Sequence, residues 1–382
     1  MKLRLSGPDL RKIRDAIIDA YGGSQNSLAL LNSAVTGYFP RRHVFSHIAI
    51  ASPFDLQVAD LLVAANNEGW LPGLIGALQQ NQPDNEELQS VLLETFGTVS
   101  AQKVLNLSTE GVNLPDRLQA DLQRVLPGRG VLLSPQTLHR RIRTVCRIDY
   151  ADLSPPGFGT GFLVGPDLVL TNWHVVERVE RAPENVRHDV ANQLRFRFDL
   201  LERAAAEDGR GRVALAQVSD GSPLLRTSPA GGMEVRGRSG EPSMTELDYA
   251  LIRLTEDVGN DPVASTALGE TRGYIQLRPN MPLPTVNSAL MALQHPMRGE
   301  LQFAIGIALG PNQTGSRAKH TVATQEGSSG SPVLDEYLSP IAMHNGTRFG
   351  TARERQAYNT AVPLSHIVAD LRNSGITEML QD

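Results

Sequence analysis

Three segments of this chain carry side chains that could act together on a carbonyl group. Glu326-Gly327-Ser328-Ser329-Gly330-Ser331-Pro332-Val333 sets serines on a glycine-rich turn, and Thr171-Asn172-Trp173-His174-Val175-Val176 sets a histidine behind an apolar run. Glu246-Leu247-Asp248-Tyr249-Ala250-Leu251-Ile252 sets a carboxylate at the head of another such run. A serine hydroxyl is a poor nucleophile at neutral pH and needs a neutral imidazole within hydrogen-bond reach to take its proton. His174 is the candidate base. The imidazole in turn needs a buried carboxylate on its other nitrogen to select the tautomer and stabilise the positive charge it acquires, and Asp248 is the candidate. The glycines let the backbone turn sharply enough for two amides to face the oxyanion that develops on the substrate. Those of Gly327 and Ser329 are the candidate donors.

Of the three serines in the loop, the pattern Gly-x-Ser-Gly-x-Pro selects Ser329 and leaves Ser328 and Ser331 as flanking positions. The esterase pattern Gly-x-Ser-x-Gly fails because position 331 is Ser, and the α/β-hydrolase fold that uses it places its acid and His after the Ser. A lone Gly-Ser-Ser-Gly turn is ordinarily a surface loop. The conjunction of His174, Asp248 and Ser329 in that order, each in or after an apolar β-branched run, is what carries the signal. It resembles the chymotrypsin-like serine peptidases. That resemblance implies a double β-barrel, a protein substrate, an acyl-enzyme intermediate and no cofactor.

The remaining composition narrows the setting. A length of 382 residues suggests two domains, and a hydrophobic fraction of 41% is that of a globular protein. Only four of the 36 basic residues are lysines and the net charge is −5, so nothing argues for nucleic-acid binding. No apolar run suits a signal peptide or a membrane span, and the expectation is a cytoplasmic protein without a membrane partner. The single cysteine, Cys146, excludes an intramolecular disulfide and reads as a small buried strand residue. The histidines outside the candidate site (His43, His47, His139, His188, His295, His320 and His366) form no metal-spaced set with carboxylates or cysteine, so no metal is expected. His295 ends an apolar strand and reads as a turn residue.

The two halves differ in periodicity. Up to Gly97 the pattern is helical: Leu10, Ile13, Ile17 and Tyr21 mark one helix, and Leu28, Leu31 and Val35 a second. Leu56, Ala59 and Val63 mark the face of a third, Trp70 to Leu78 a fourth, and Asn85 to Phe96 a fifth. Glu68-Gly69-Trp70-Leu71-Pro72-Gly73-Leu74-Ile75-Gly76-Ala77-Leu78, with Asn81-Gln82-Pro83-Asp84-Asn85 and Leu88, resembles the bacterial effector-associated domains, the first type in particular. The resemblance implies a helical module with a death-domain-like adaptor role in a bacterial conflict system, and a homotypic partner. Residues 97–135 read as a linker broken by Pro and Gly, with a short helix from Asp116 to Val125. Beyond it the period becomes two, with strands expected at Arg143–Ile148, Gly161–Val164, Leu168–Thr171, Leu194–Phe198 and Tyr249–Leu254, and a closing helix from Pro363 to Arg372. Gly157-Phe158-Gly159-Thr160-Gly161 lacks phosphate-loop spacing and reads as strand glycine near the active site. The expected fold is an all-α helical bundle over 1–96 joined to an all-β chymotrypsin-like double barrel with a C-terminal helix over 136–382.

Secreted trypsins order their oxyanion loop through an acidic residue immediately before the nucleophile; here that position is Ser328, so that switch is closed. The chain is in this respect similar to the bacterial glutamyl endopeptidases and to the HtrA-like branch. Thr324, five before Ser329, and His344, fifteen after it, together with Ser331, are similar to the residues by which glutamyl endopeptidases hold an acidic side chain ahead of the scissile bond. A hydroxyl and an imidazole N–H can donate to a carboxylate without placing a permanent charge in the empty pocket. The alternative for His344 is a strand residue satisfied by backbone. The alternative for the whole chain is a non-cleaving scaffold acting through adaptor contacts.

Overall fold

The structure, a computed structural model, describes stretches of residues 5–100 and most of residues 135–376; 101–134, 202–210, 263–269 and 349–357 are the longest omissions. The linker helix expected over 116–125, and Trp70, lie outside the described residues.

In the N-terminal region α1 (Gly7–Tyr21), α2 (Ser27–Tyr38) and α3 (Phe54–Glu68) enclose a core of Ile13, Ile17, Tyr21, Leu31, Val35, Leu61 and Leu62. The third helix turns a different face inward from the one its Leu56, Ala59, Val63 spacing suggests. Leu56 and Val63 are 51% and 49% exposed, and Val58, Leu61, Leu62 and Ala65 form the buried stripe. Four apolar positions at i, i+3, i+4 and i+7 cover more of the core than three do, and that stripe wins. Leu71, Leu74, Ile75, Leu78 and Leu88 add to the same core.

The remainder is two antiparallel barrels. The first runs β6 (Arg212–Ala214), β5 (Leu194–Phe198), β2 (Val145–Tyr150), β3 (Phe158–Leu163), β4 (Leu168–Thr171) and β8 (Tyr249–Arg253), with β7 (Leu224–Ser228) on the far side of β8. A bridge between Ala216 and Leu254 closes it. The second runs β9 (Ala289–Gln294), β10 (Gln302–Pro311), β11 (Ala318–His320), β14 (Tyr358–Pro363), β13 (Pro340–Arg348) and β12 (Pro332–Leu334), and closes where β12 pairs with β9. This is the double barrel of the chymotrypsin-like fold. β1 (Thr98–Ser100), in a segment the sequence assigns to a linker, pairs with β10.

Strand alternation explains why several strands are buried on both faces. In β8, Ala250 and Ile252 point into the first barrel while Tyr249 and Leu251 face the second. In β9, Leu290 and Ala292 fill the second barrel while Ala289, Met291 and Leu293 meet the first. Two buried faces give a continuous apolar run instead of clean alternation. Cys146 is buried inside the first barrel, where burial raises its thiol pKa.

Three helices in this half go beyond the strands read from sequence. α4 (Pro135–Thr144) precedes β2, so Arg143 and Thr144 end a helix instead of opening a strand; Leu138 and Ile142, one turn apart, are buried between the barrels. α5 (Trp173–Arg181) and α6 (Glu184–Ala191) follow β4. The closing helix α7 (Leu364–Asn373) has Pro363 at its N-cap and buries Ile367, Val368 and Leu371. Asp370 on α7 accepts from Arg226 through two bonds of 2.9 Å and from the Tyr249 hydroxyl at 2.5 Å, tying the chain end to the first barrel.

Candidate active site

The His174–Asp248 pair follows from strand register. β4 pairs antiparallel with β8 so that Thr171 lies opposite Ala250. The residues leaving β4 therefore lie over those entering β8, and His174, in the first turn of α5, meets Asp248. Its Nδ1 is 2.8 Å from Asp248 Oδ2, and its backbone N–H donates to Oδ1 at 3.1 Å. Asn172 donates from Nδ2 to the Asp248 carbonyl at 2.9 Å, and Asn345 on β13 donates from Nδ2 to Oδ2 at 3.4 Å. Asp248 is 1% exposed and adopts a left-handed φ of 48°, a conformation of order 1 kcal/mol unfavourable for a non-glycine residue. These four hydrogen bonds hold it there.

Burial draws the pKa of His174 down, but the charge of Asp248 and its hydrogen bond, with Glu177 and Glu234 behind them, outweigh burial and hold it above the ordinary histidine value. The His174 side chain is 30% exposed, so its ring can be reached from solvent.

The loop carrying Gly327, Ser328 and Ser329 is fastened to β3. Thr160 donates its backbone N–H to the Ser329 carbonyl at 2.8 Å and its hydroxyl to the Gly327 carbonyl at 2.8 Å, while the same hydroxyl accepts from the His295 backbone N–H at 3.0 Å. The glycines of the Gly157–Gly161 run allow this contact. A Cβ on Gly159 would stand 2.7 Å from both Val175 methyls and 3.2 Å from the Ser329 carbonyl oxygen. The residue after His174 and the Ser329 backbone thus converge on one glycine. Gly327 and Gly330 have φ of +94° and +88°, and a Cβ on Gly330 would lie 2.0 Å from the Thr160 carbonyl oxygen. Among the described residues the Gly327 and Ser329 amides donate to no protein acceptor, while those of Ser328, Gly330 and Ser331 are all paired. Ser328 is fully buried and its hydroxyl accepts from the Gln325 N–H at 3.0 Å, a structural role within the turn.

His344 lies on β13 beside this loop: its carbonyl accepts from Gly330 N–H and its N–H donates to the Ser331 carbonyl, both at 2.9 Å. Its ring faces His320, with Nδ1 3.4 Å from His320 Nε2. Burial, then the neighbouring His320 and His174, hold its pKa well below the ordinary value. Burial likewise brings His320 to about 4. The Ser331 hydroxyl is buried without a hydrogen-bond partner, and Thr324 is half-buried. His295 heads the short 3-10 turn Pro296–Arg298 and is buried there; its Nδ1 lies 3.1 Å from the Gly299 carbonyl, and burial together with Arg147 lowers its pKa to about 3.

A cavity of about 340 Å³ opens on the Asp248 side of His174, between Glu177, Glu234, Asn345 and Thr347; Ser329, Thr324 and His344 are not in its lining. Asn172, Thr160, Asn345 and Glu234 are parts of the site that residue spacing did not single out. Asn172 and Asn345 are neighbours in sequence of His174 and His344, the one available signal. Among the described residues no group of three or more His, Cys, Asp or Glu could hold a metal ion, and no helix is long and apolar enough to cross a membrane.

Residues 159–343 match the family described as trypsin-like peptidase domain, and residues 3–96 match effector-associated domain 1. The chain therefore joins an effector-associated domain to a trypsin-like peptidase domain. A Sinorhizobium fredii protein described as uncharacterized protein y4fB is 26% identical over 214 residues, 53% of this chain. The match spans 27% of that protein, so this chain covers about a quarter of it. Similar solved structures include the serine endoprotease from Yersinia pestis, 14% identical over 64% of this chain and 66% of that one, with a TM-score of 0.40. Another is the HtrA-type protease AlgW with a tripeptide, 16% identical over 63% of this chain and 62% of that one, with a TM-score of 0.39.

Proposed function

We propose that this protein is a serine endopeptidase in which His174 is the general base, Asp248 orients it and Ser329 attacks the scissile carbonyl. The observation that carries the reading is the 2.8 Å His174–Asp248 bond, set by the β4–β8 register beside a loop whose Gly327 and Ser329 amides are unpaired. His174 takes the Ser329 proton as the hydroxyl adds to the carbonyl, and the two amides receive the oxyanion. Collapse of the tetrahedral intermediate returns the proton to the leaving amine and leaves an acyl-enzyme; water, activated by the same imidazole, releases it. The test is covalent capture by a fluorophosphonate, which reacts only with an activated serine. A full-length chain that folds and takes up no probe supports the non-cleaving scaffold instead.

The pocket reading is that Thr324, Ser331 and His344 receive an acidic side chain ahead of the cut bond. The buried, unpartnered Ser331 hydroxyl and the neutral, buried His344 ring support it, since both are donors held away from water. Removing one donor by His344→Ala is expected to cost about 1.5–3 kcal/mol, or roughly one to two powers of ten, in kcat/KM for Glu over Gln at that position. A peptide-library profile led by Arg, Lys or large aromatic residues overturns this assignment.

The third element of the reading is recruitment. Residues 1–96 bind a like domain on another protein of a bacterial defence system and bring the peptidase to its target by raised effective concentration. Deleting 1–96 is expected to leave short-peptide hydrolysis in place and to abolish selective cleavage of the target protein in cells. Unchanged target cleavage in the deletion refutes recruitment.

A further inference from the structure

Behind the His174–Asp248 pair lies a second, buried ion pair. Arg317, 1% exposed, immediately precedes β11 and grips Glu234 with both arms of its guanidinium: Nε to Oε1 at 3.1 Å and Nη2 to Oε2 at 2.7 Å. Two of its three remaining N–H groups are also used, Nη1 on the Ser316 carbonyl at 3.0 Å and Nη2 on the Glu246 carbonyl at 2.7 Å, two residues before Asp248. Glu234 then accepts from Asn345 Nδ2 at 3.1 Å, and the same nitrogen reaches Asp248 Oδ2 at 3.4 Å. The Asn345 Oδ1 is buried without a partner. Its orientation is nevertheless forced, because a flipped amide would set that oxygen against two carboxylates.

A buried ion pair contributes little to stability after desolvation, and its defensible use is to fix a geometry. We propose that Arg317, Glu234 and Asn345 are positioning residues for the general base: Arg317 fixes the Glu234 carboxylate, Glu234 fixes the Asn345 amide, and Asn345 holds Asp248 against His174. The chain of contacts runs from the second barrel, through the β7–β8 segment of the first, to the carboxylate at the head of β8. It rests on the catalytic reading of His174, Asp248 and Ser329. The charged and titratable groups facing His174 are Asp248 and Glu234 from the segment before β8, Glu177 from its own helix and His344 from β13.

The test uses the full chain with Glu234→Gln, which keeps the side chain's shape and removes its charge. Expected are a kcat about five- to tenfold lower on a fluorogenic peptide, KM within about twofold, and proportionally slower fluorophosphonate uptake. The acid limb of kcat/KM moves to lower pH, because one negative neighbour of His174 is gone. Asn345→Ala added to Glu234→Gln lowers kcat little further, since both act through one hydrogen bond to Asp248. Unchanged kcat and an unchanged acid limb overturn the inference. So does a change confined to KM that follows the substrate's side chains, which makes Glu234 a substrate contact in the 340 Å³ cavity. A wild-type chain that folds and takes up no probe overturns the catalytic reading itself, an outcome separate from wild type and Glu234→Gln reacting alike.

Discussion

Ser329→Ala is expected to abolish fluorophosphonate labelling and to lower turnover of a peptide substrate by something like 10⁶, with His174→Ala close behind and the double variant little worse than either. The near-equality is the informative part. On the proposed reading Ser329 and His174 act as one unit, so removing the base leaves a hydroxyl that cannot shed its proton, and removing the hydroxyl leaves a base with nothing to activate. The neighbouring serines make the experiment discriminating. Ser328→Ala removes only the acceptor for the Gln325 N–H at 3.0 Å, so labelling should persist and the cost should appear in thermal stability. Loss of labelling in Ser328→Ala with retention in Ser329→Ala would transfer the nucleophile to position 328 and overturn the loop assignment.

The parts of this site that were legible in the sequence are those whose chemistry is tied to residue type and order. A Gly-x-Ser-Gly turn, a His after an apolar strand and an Asp before one survive as patterns because each lies within three residues of a strand, and strand alternation is local. The Gly157–Gly161 run was legible for the same reason, since a close approach demands glycine at positions 159 and 161. The supporting shell was not. Arg317 and Glu234 stand 83 residues apart, and Asn345 meets Asp248 across 97 residues, so no period or motif relates them. The helical region departs from its reading at one element: α3 carries two apolar stripes, and the three-residue one of Leu56, Ala59 and Val63 is outweighed by the four-residue one that meets the core. β2 began late because Leu138 and Ile142, spaced for a helix, place Arg143 and Thr144 in its last turn. The strands of the second barrel are short or buried on both faces, which removes the alternation by which a strand is recognised.

Asp248→Asn is expected to lower kcat by about 10⁴ while leaving the fold intact and KM nearly unchanged. The carboxylate of Asp248 accepts three hydrogen bonds: the His174 backbone N–H at Oδ1, and His174 Nδ1 and the Asn345 amide at Oδ2. An asparagine has one oxygen and one NH₂ in the same space. With its oxygen kept on the backbone N–H, the NH₂ faces Nδ1, which must then become the acceptor and send its proton to Nε2. The lone pair that would take the Ser329 proton is then occupied, so the base is lost although the ring has not moved. The pH dependence gives a second reading. In the wild type the net effect of Asp248, Glu177 and Glu234 holds the His174 pKa above the ordinary value despite burial. The acid limb of kcat/KM should therefore lie above the ordinary histidine range near about 6.5, with activity lost as pH falls through it. Removing the Asp248 charge lets burial dominate, so the residual activity of the variant should extend to lower pH than that of the wild type. A kcat loss below tenfold, or an acid limb that stays in place, would mean that His174 does not act as the base through its bond to Asp248.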